Sequence, residues 1–191
     1  MEKNIEDRLT IADLVAGWIH RDLGDWDRLR NLFHPDATIE VTWFEGFFLQ
    51  FVEASLKMGA SDLRTKHLVT SPHVTINKTR AIAEANIVII CENPKLGLFC
   101  TQHARFFDAI EMRNNVWRIA SRKCLYDMCS FSAQFGAPEI DAAALAKFPR
   151  EYAPLAYILE KSGFEISRIS PTKGGGQEKA IKTSALSWIS A

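Results

Sequence analysis

Residues 18–33 read WIHRDLGDWDRLRNLF, and the acid inside this stretch, Asp22, decides how the rest of the chain is read. The stretch reads as the end of one helix, a Gly24-Asp25 turn and the start of a second helix. Ile11, Val15, Trp18 and Asp22 are spaced 4, 3 and 4 apart, so a continuous helix over 5–23 puts them on one face. Three of them are apolar and the fourth is a carboxylate in the last turn, where the macrodipole disfavours negative charge. Such an acid needs compensation, and the reading is that the rest of the chain builds a pocket round it with a histidine as its partner.

Outward from this stretch, Ile5, Leu9, Ala12, Leu14 and Ile19 extend the apolar pattern of the first helix. Asp25 is placed to cap a second helix over 26–33, ended by His34-Pro35. A strand follows over 37–43, with Ile39, Val41 and Trp43 on one side, then a helix over 45–60. From residue 64 the chain is extended and rich in β-branched and aromatic residues, over 64–77, 80–92, 96–113 and 116–128. Asn77-Lys78-Thr79, Asn93-Pro94-Lys95 and Asn114-Asn115 supply turn chemistry between these segments, which makes neighbours antiparallel. Ser71-Pro72 marks a bulge or bend in the first. Helices first and long strands afterwards is an α+β order: helices on one face of a bent sheet, a cone with an interior pocket. Residues 1–130 form this unit. Residues 131–191 are a C-terminal extension, either part of the same domain or a tail that wraps a subunit, with short helices over 142–148 and 152–161, a Pro/Gly/Ser-rich linker over 167–178 in which Gly174-Gly175-Gly176 reads as a flexible joint, and a last helix over 180–189.

Composition narrows the function classes. A chain of 191 residues is most simply one domain, and 47% hydrophobic with 24% charged residues is ordinary for a soluble globular protein. Twenty-three basic residues balance twenty-three acidic ones, so no global field favours nucleic acid or anionic lipid. The 4 cysteines show no CxxC spacing, which points to a reduced, cytoplasmic chain. The charged N-terminus is not a signal peptide, and no apolar run is long enough to span a bilayer. His20, His34 and His73 are scattered and give no metal-ligand spacing, and Gly174-Gly175-Gly176 lacks the context of a phosphate loop.

Ile11-Ala12-Asp13-Leu14, Asp22-Leu23-Gly24-Asp25-Trp26-Asp27, Leu32-Phe33-His34-Pro35-Asp36-Ala37, Thr65-Lys66-His67-Leu68, Arg105-Phe106-Phe107-Asp108 and Val116-Trp117-Arg118-Ile119 together carry a resemblance to a family. Over about residues 5–128 the chain resembles the SnoaL-like branch of the NTF2-like cone-fold superfamily, whose members include polyketide cyclases, scytalone dehydratase, hexachlorocyclohexane dehydrochlorinase and ketosteroid isomerase. The resemblance implies an NTF2-like cone with a curved, mixed, mainly antiparallel sheet under N-terminal helices. In the dehydratase and dehydrochlorinase branch an Asp at the end of the first helix pairs with a His on the sheet; the matching positions here are Asp22 and His67. A neutral His accepts a proton near pH 7, and a carboxylate on its other nitrogen fixes the tautomer and stabilises the imidazolium. His103 and Arg105 alternate on one face of the third long strand, as an auxiliary acid and an oxyanion or salt-bridge partner, and an exposed His103 and a structural bridge from Arg105 to Asp108 or Glu84 are the plainer alternatives. Trp18, Trp43, Phe47, Phe51, Trp117 and Tyr126 are available to line an aromatic pocket or to fill an ordinary core.

The expected function is a lyase or isomerase of dehydratase or cyclase type, with no cofactor and no metal, taking a small, largely apolar molecule of polyketide or aromatic type. His67 is its general base, assisted by Asp22, in a homodimer or homotrimer. The alternative is a non-catalytic binding or assembly subunit resembling the β-subunits of ring-hydroxylating dioxygenases. An oxyanion hole of the ketosteroid-isomerase kind fits less well, because Tyr126 is the only tyrosine in the expected cone.

Overall fold

The computed structural model describes residues 2–132, 136 and 139–191. Helix α1 (Glu2–Ala16) does not run on to residue 23. After it the backbone tightens: His20 N and Arg21 N donate to the carbonyls three residues back, and one short turn of helix follows, α2 (Ile19–Asp22). The break lies at Gly17, where a Cβ would stand 2.7 Å from Leu32 Cδ2 and 3.1 Å from the Asp13 carbonyl oxygen. The close approach of Leu32 is therefore made against bare backbone. Ile11, Val15 and Trp18 are buried, as their spacing predicts, and the Asp22 side chain is 1% exposed. Ile5, Leu9 and Ile19, expected on the apolar face, are exposed, because only the stripe through Ile11, Val15 and Trp18 meets the core.

Asp25 caps α3 (Trp26–Asn31) by accepting from Arg28 N at 3.2 Å. The strand β1 (Phe33–Val41) starts earlier than expected and runs through Pro35. Pro35 is tolerated because the pairing of β1 with its neighbour is interrupted between Phe33 and Thr38. A short strand not foreseen, β2 (Phe44–Phe47), makes a hairpin with β1 across Thr42-Trp43. Helix α4 (Phe48–Gly59) consequently begins three residues later than expected.

The expected strand over 64–77 is two strands, β3 (Arg64–Val69) and β4 (His73–Asn77), parted at Thr70-Ser71-Pro72 and both antiparallel to β5 (Arg80–Asn93). β6 (Leu98–Arg113) and β7 (Val116–Phe131) complete the long meander. Asn114 and Asn115 both take positive φ, 53° and 60°, in the two-residue turn between them. The sheet runs β2-β1-β7-β6-β5-β3, with β4 also on β5, and β1 lies parallel to β7 while the other pairs are antiparallel. This is the α+β cone expected from the sequence.

The C-terminal segment adds α5 (Ala142–Leu145), α6 (Ala153–Lys161) and α7 (Gly176–Ser190). Every residue from Ala153 to Leu159 is buried, and Leu155 and Leu159 join the same core as Trp18 and Phe106. The stretch expected to be a linker is pinned to the sheet and to α6 ahead of its glycines. Tyr126 N donates to the Pro171 carbonyl, Lys173 N to the Tyr126 carbonyl and Ser170 N to the Tyr152 hydroxyl. α7 covers Ile82, Phe107 and Leu125 on the outer face of the sheet. Its last carbonyls are taken by Asn77 Nδ2, on Ile189, and Arg80 Nη1, on Trp188. Among the described residues no helix is long and apolar enough to cross a membrane.

An ion pair lies inside the cone. Arg122 Nε and Nη2 donate to Asp108 at 2.8 and 2.7 Å, and both side chains are fully buried. The guanidinium also lies 4.1 Å from the Phe106 ring centroid and 4.9 Å from that of Trp18. Removing one partner strands a desolvated charge, so Asp108→Ala is expected to cost about 3–5 kcal/mol in urea unfolding, and the paired change Asp108→Leu with Arg122→Met to recover most of it.

Candidate active site

β3 is the edge strand of the sheet beside β5, and alternation turns Thr65, His67 and Val69 inward while Lys66 and Leu68 face solvent. Asp22, at the end of α2, meets His67 with both oxygens. Oδ2 accepts from the His67 backbone N at 2.7 Å, and Oδ1 lies 2.7 Å from ring Nδ1. Arg21 Nη1 stands 3.5 Å from the same Oδ1. The exposures of the His67 and Asp22 side chains are 8% and 1%.

The electrostatics follow from this packing. Burial alone would raise the Asp22 pKa, but the bonds from His67 and the charge of Arg21 hold the carboxyl below its ordinary value. Burial pushes the His67 pKa down; the Asp22 bond opposes this, the charges of Arg21 and Arg122 reinforce it, and the result lies below 6.5. The imidazole is therefore neutral at pH 7, with Nδ1–H donated to Asp22 and Nε2 left as the basic nitrogen.

Trp18 stands edge-on to the His67 ring at 5.9 Å, stacks with Phe51 at 5.7 Å and meets Phe106 edge-on at 5.1 Å. With Trp43 and Ile89 they wall an interior cavity that His67 and Thr65 also reach. Leu155 and Leu159 of α6 also line it, and its volume is about 40 Å³, room for a few waters. Tyr126 adds a second polar spot, its hydroxyl accepting from Thr42 N at 2.8 Å and bonded to the Thr42 hydroxyl.

Of the residues singled out from the sequence, Asp22 and His67 are brought together, and Trp18, Trp43, Phe51 and Tyr126 line the cavity. Four others are placed elsewhere. His103 is exposed, in a separate groove with Asp127 and Arg150. Arg105 holds Asp127 through Nε and Nη2, and Glu84 and Glu178 through Nη1, so it ties α7 to the sheet. Strand parity is the reason: on β6 Gln102, Ala104 and Phe106 face the core, which sends 103 and 105 outward. Trp117 is buried but lies outside the cavity lining, its Nε1 donating to Asp7 at 2.8 Å, and Phe47 is exposed. The residues missed include Arg21, Met58 and Thr65, which flank the dyad, and Leu155 and Leu159, which line the cavity from α6. Among the described residues, no group of three or more His, Cys, Asp or Glu is placed to hold a metal ion.

Comparison with known proteins adds four likenesses. The family described as SnoaL-like domain matches residues 3–123. An uncharacterised protein of Aspergillus terreus is 45% identical over 82% of this chain and 66% of its own length, so the chain spans just under two thirds of that relative. A candidate scytalone dehydratase of Novosphingobium aromaticivorans superposes with a TM-score of 0.60 at 16% identity, over 73% of this chain and 96% of that one. A hexachlorocyclohexane dehydrochlorinase does so with a TM-score of 0.58 at 15% identity, over 71% and 95%. At these identities the two solved structures share the fold.

The geometry predicts how His67 titrates. Its pKa, read by NMR of the ring nitrogens, is expected below 6.5, with the neutral form protonated on Nδ1. Asp22→Asn removes an interaction that raises it, so the pKa in that variant falls further.

Proposed function

The chain belongs to the SnoaL-like domain family, and on that footing we propose that it is a lyase or isomerase, working without a cofactor on a small, largely apolar molecule. One observation carries the reading: an imidazole held through Nδ1 on a buried carboxylate at the wall of an aromatic cavity. His67 Nε2 takes a proton from carbon next to an activating group. The C–H electron pair then forms a double bond as halide leaves, or as hydroxide leaves and takes the His67 proton to depart as water; or it is reprotonated by His67 at another carbon, giving an isomer; or it attacks a carbonyl carbon of the same molecule, whose oxygen takes the proton as the ring closes. Asp22 keeps the ring in the reactive tautomer and stabilises the imidazolium, as in other His–carboxylate pairs. The dehydratase and dehydrochlorinase names of the two solved neighbours are consistent with the eliminating branch.

A second reading is favoured by the small size of the cavity. With about 40 Å³ of interior space, the cone also suits a non-catalytic assembly subunit of the dioxygenase β type. Solution mass separates the two. A homodimer or homotrimer purified alone supports the enzyme, and obligate co-purification with an iron–sulfur α-subunit supports the alternative.

Proton abstraction is tested by incubating the protein in deuterated water with a panel of small carbon acids and reading deuterium incorporation by mass spectrometry. His67→Ala and Asp22→Asn are expected to lower exchange or turnover by roughly 10²–10⁴-fold with the fold intact, and near-native rates in either overturn the mechanism. Because the base works deprotonated and its pKa lies below 6.5, the rate should be level at neutral pH and fall only on the acid side of that value.

A further inference from the structure

Arg122, Arg105 and Arg21 have side chains 0%, 13% and 8% exposed, and the first two use the same edge of the guanidinium. Arg122 sets Nε and Nη2 on Asp108 at 2.8 and 2.7 Å, and Arg105 sets Nε and Nη2 on Asp127 at 3.1 and 2.8 Å. Arg21, whose side chain is 8% exposed, has no carboxylate on that edge. Its Nε is buried without a partner among the described residues, and its Nη2 meets only the Met58 thioether at 3.5 Å. The remaining nitrogen, Nη1, donates to Thr65 Oγ1 at 2.8 Å and stands 3.5 Å from Asp22. A guanidinium left this way has lost its water and has a sulfur, a weak acceptor, where its neighbours have an acid.

The place matters as much as the vacancy of the edge. Arg21, Met58 and Thr65 line the interior cavity on one side and, on the other, a cleft of about 280 Å³ at the surface between α2 and α4. Ser55 lines the same cleft; it is 2% exposed, and its Oγ has no partner among the described residues. Arg21 therefore stands between the cleft and the cavity, with a second unpaired donor lining the same cleft. Asp22 is the one acid lining the cleft, and both its oxygens are already engaged by His67.

We propose that the Nε/Nη2 edge of Arg21, with Ser55 Oγ, is a carboxylate site, and that the molecule brought to the dyad through the α2–α4 cleft is a small organic acid. The fork geometry that holds Asp108 and Asp127 accepts both oxygens of such a ligand. Met58 is the placeholder: an unbranched, polarisable side chain that yields its weak contact to a charge-assisted pair. As a statement about substrate class this rests on the lyase or isomerase reading; as a binding site it does not.

The test compares benzoate with its neutral counterpart benzamide, titrated into the whole chain and followed by tryptophan fluorescence, since Trp26 lines the cleft and Trp18 the cavity. The wild-type chain is expected to bind benzoate roughly tenfold or more tightly than benzamide, the scale of a charge-assisted hydrogen bond. Arg21→Met should abolish that preference, Arg21→Lys and Ser55→Ala should reduce it, and His67→Ala should keep it, each variant showing a native circular dichroism spectrum. No preference in the wild-type chain, no benzoate binding at all, or an undiminished preference in folded Arg21→Met overturns the site. A preserved preference together with full proton exchange in His67→Ala overturns the catalytic reading alone.

Discussion

An edge strand leaves every second backbone N–H without a ladder partner, and a carboxylate in the last turn of a helix sits against carbonyl ends that repel it. In this protein each of these difficulties answers the other. Asp22 takes the free N–H of His67 on β3 and the ring N–H of the same residue, so one acid satisfies two donors of one histidine. The grip sets the ring's direction as well as its tautomer, because backbone and side chain are held at once. Much else in the cone serves to keep that junction in place. The glycine break before α2 lets Leu32 close in, and the edge-on Trp18 backs the imidazole.

Charge inside the cone is paired on a short scale. Arg122 with Asp108 and Arg21 beside Asp22 put cations near His67, and with burial they keep its ring neutral despite the acid it touches. A low-dielectric interior makes each of these charges count for more than at the surface. The aromatic shell of Trp18, Phe106 and Phe33 around Arg122 supplies quadrupole attraction in place of water.

The order of elements was legible in the sequence because it is local: apolar spacing marked the buried face through Asp22, and Asn114-Asn115 marked a turn that takes positive φ. The pairing of Asp22 with His67 is not local. Spacing showed only that the acid needed a partner, and the family resemblance supplied which one. β2 escaped notice because Phe44–Phe47 is short and aromatic, a pattern equally at home in the first turn of the helix that follows. The outward placement of His103 and Arg105 was obscured because β6 is apolar on both faces, Phe106 inward and Phe107 under α7, which hides the parity of the strand. The role of Arg21 had no signature at all, since a guanidinium beside an acid reads as an ordinary local pair.

Burial of α6 has a consequence for traffic. Seven consecutive residues, Ala153–Leu159, are packed into the core, and full burial of each large apolar side chain is worth roughly 1.5–3 kcal/mol. Undocking that helix to admit a molecule is a collective event on the microsecond-to-millisecond scale, whereas repositioning Arg21 and Met58 needs side-chain rotation, which is faster by orders of magnitude. Side-chain rotation at Arg21 and Met58, which line both the α2–α4 cleft and the cavity, is therefore the faster of the two ways to admit a molecule.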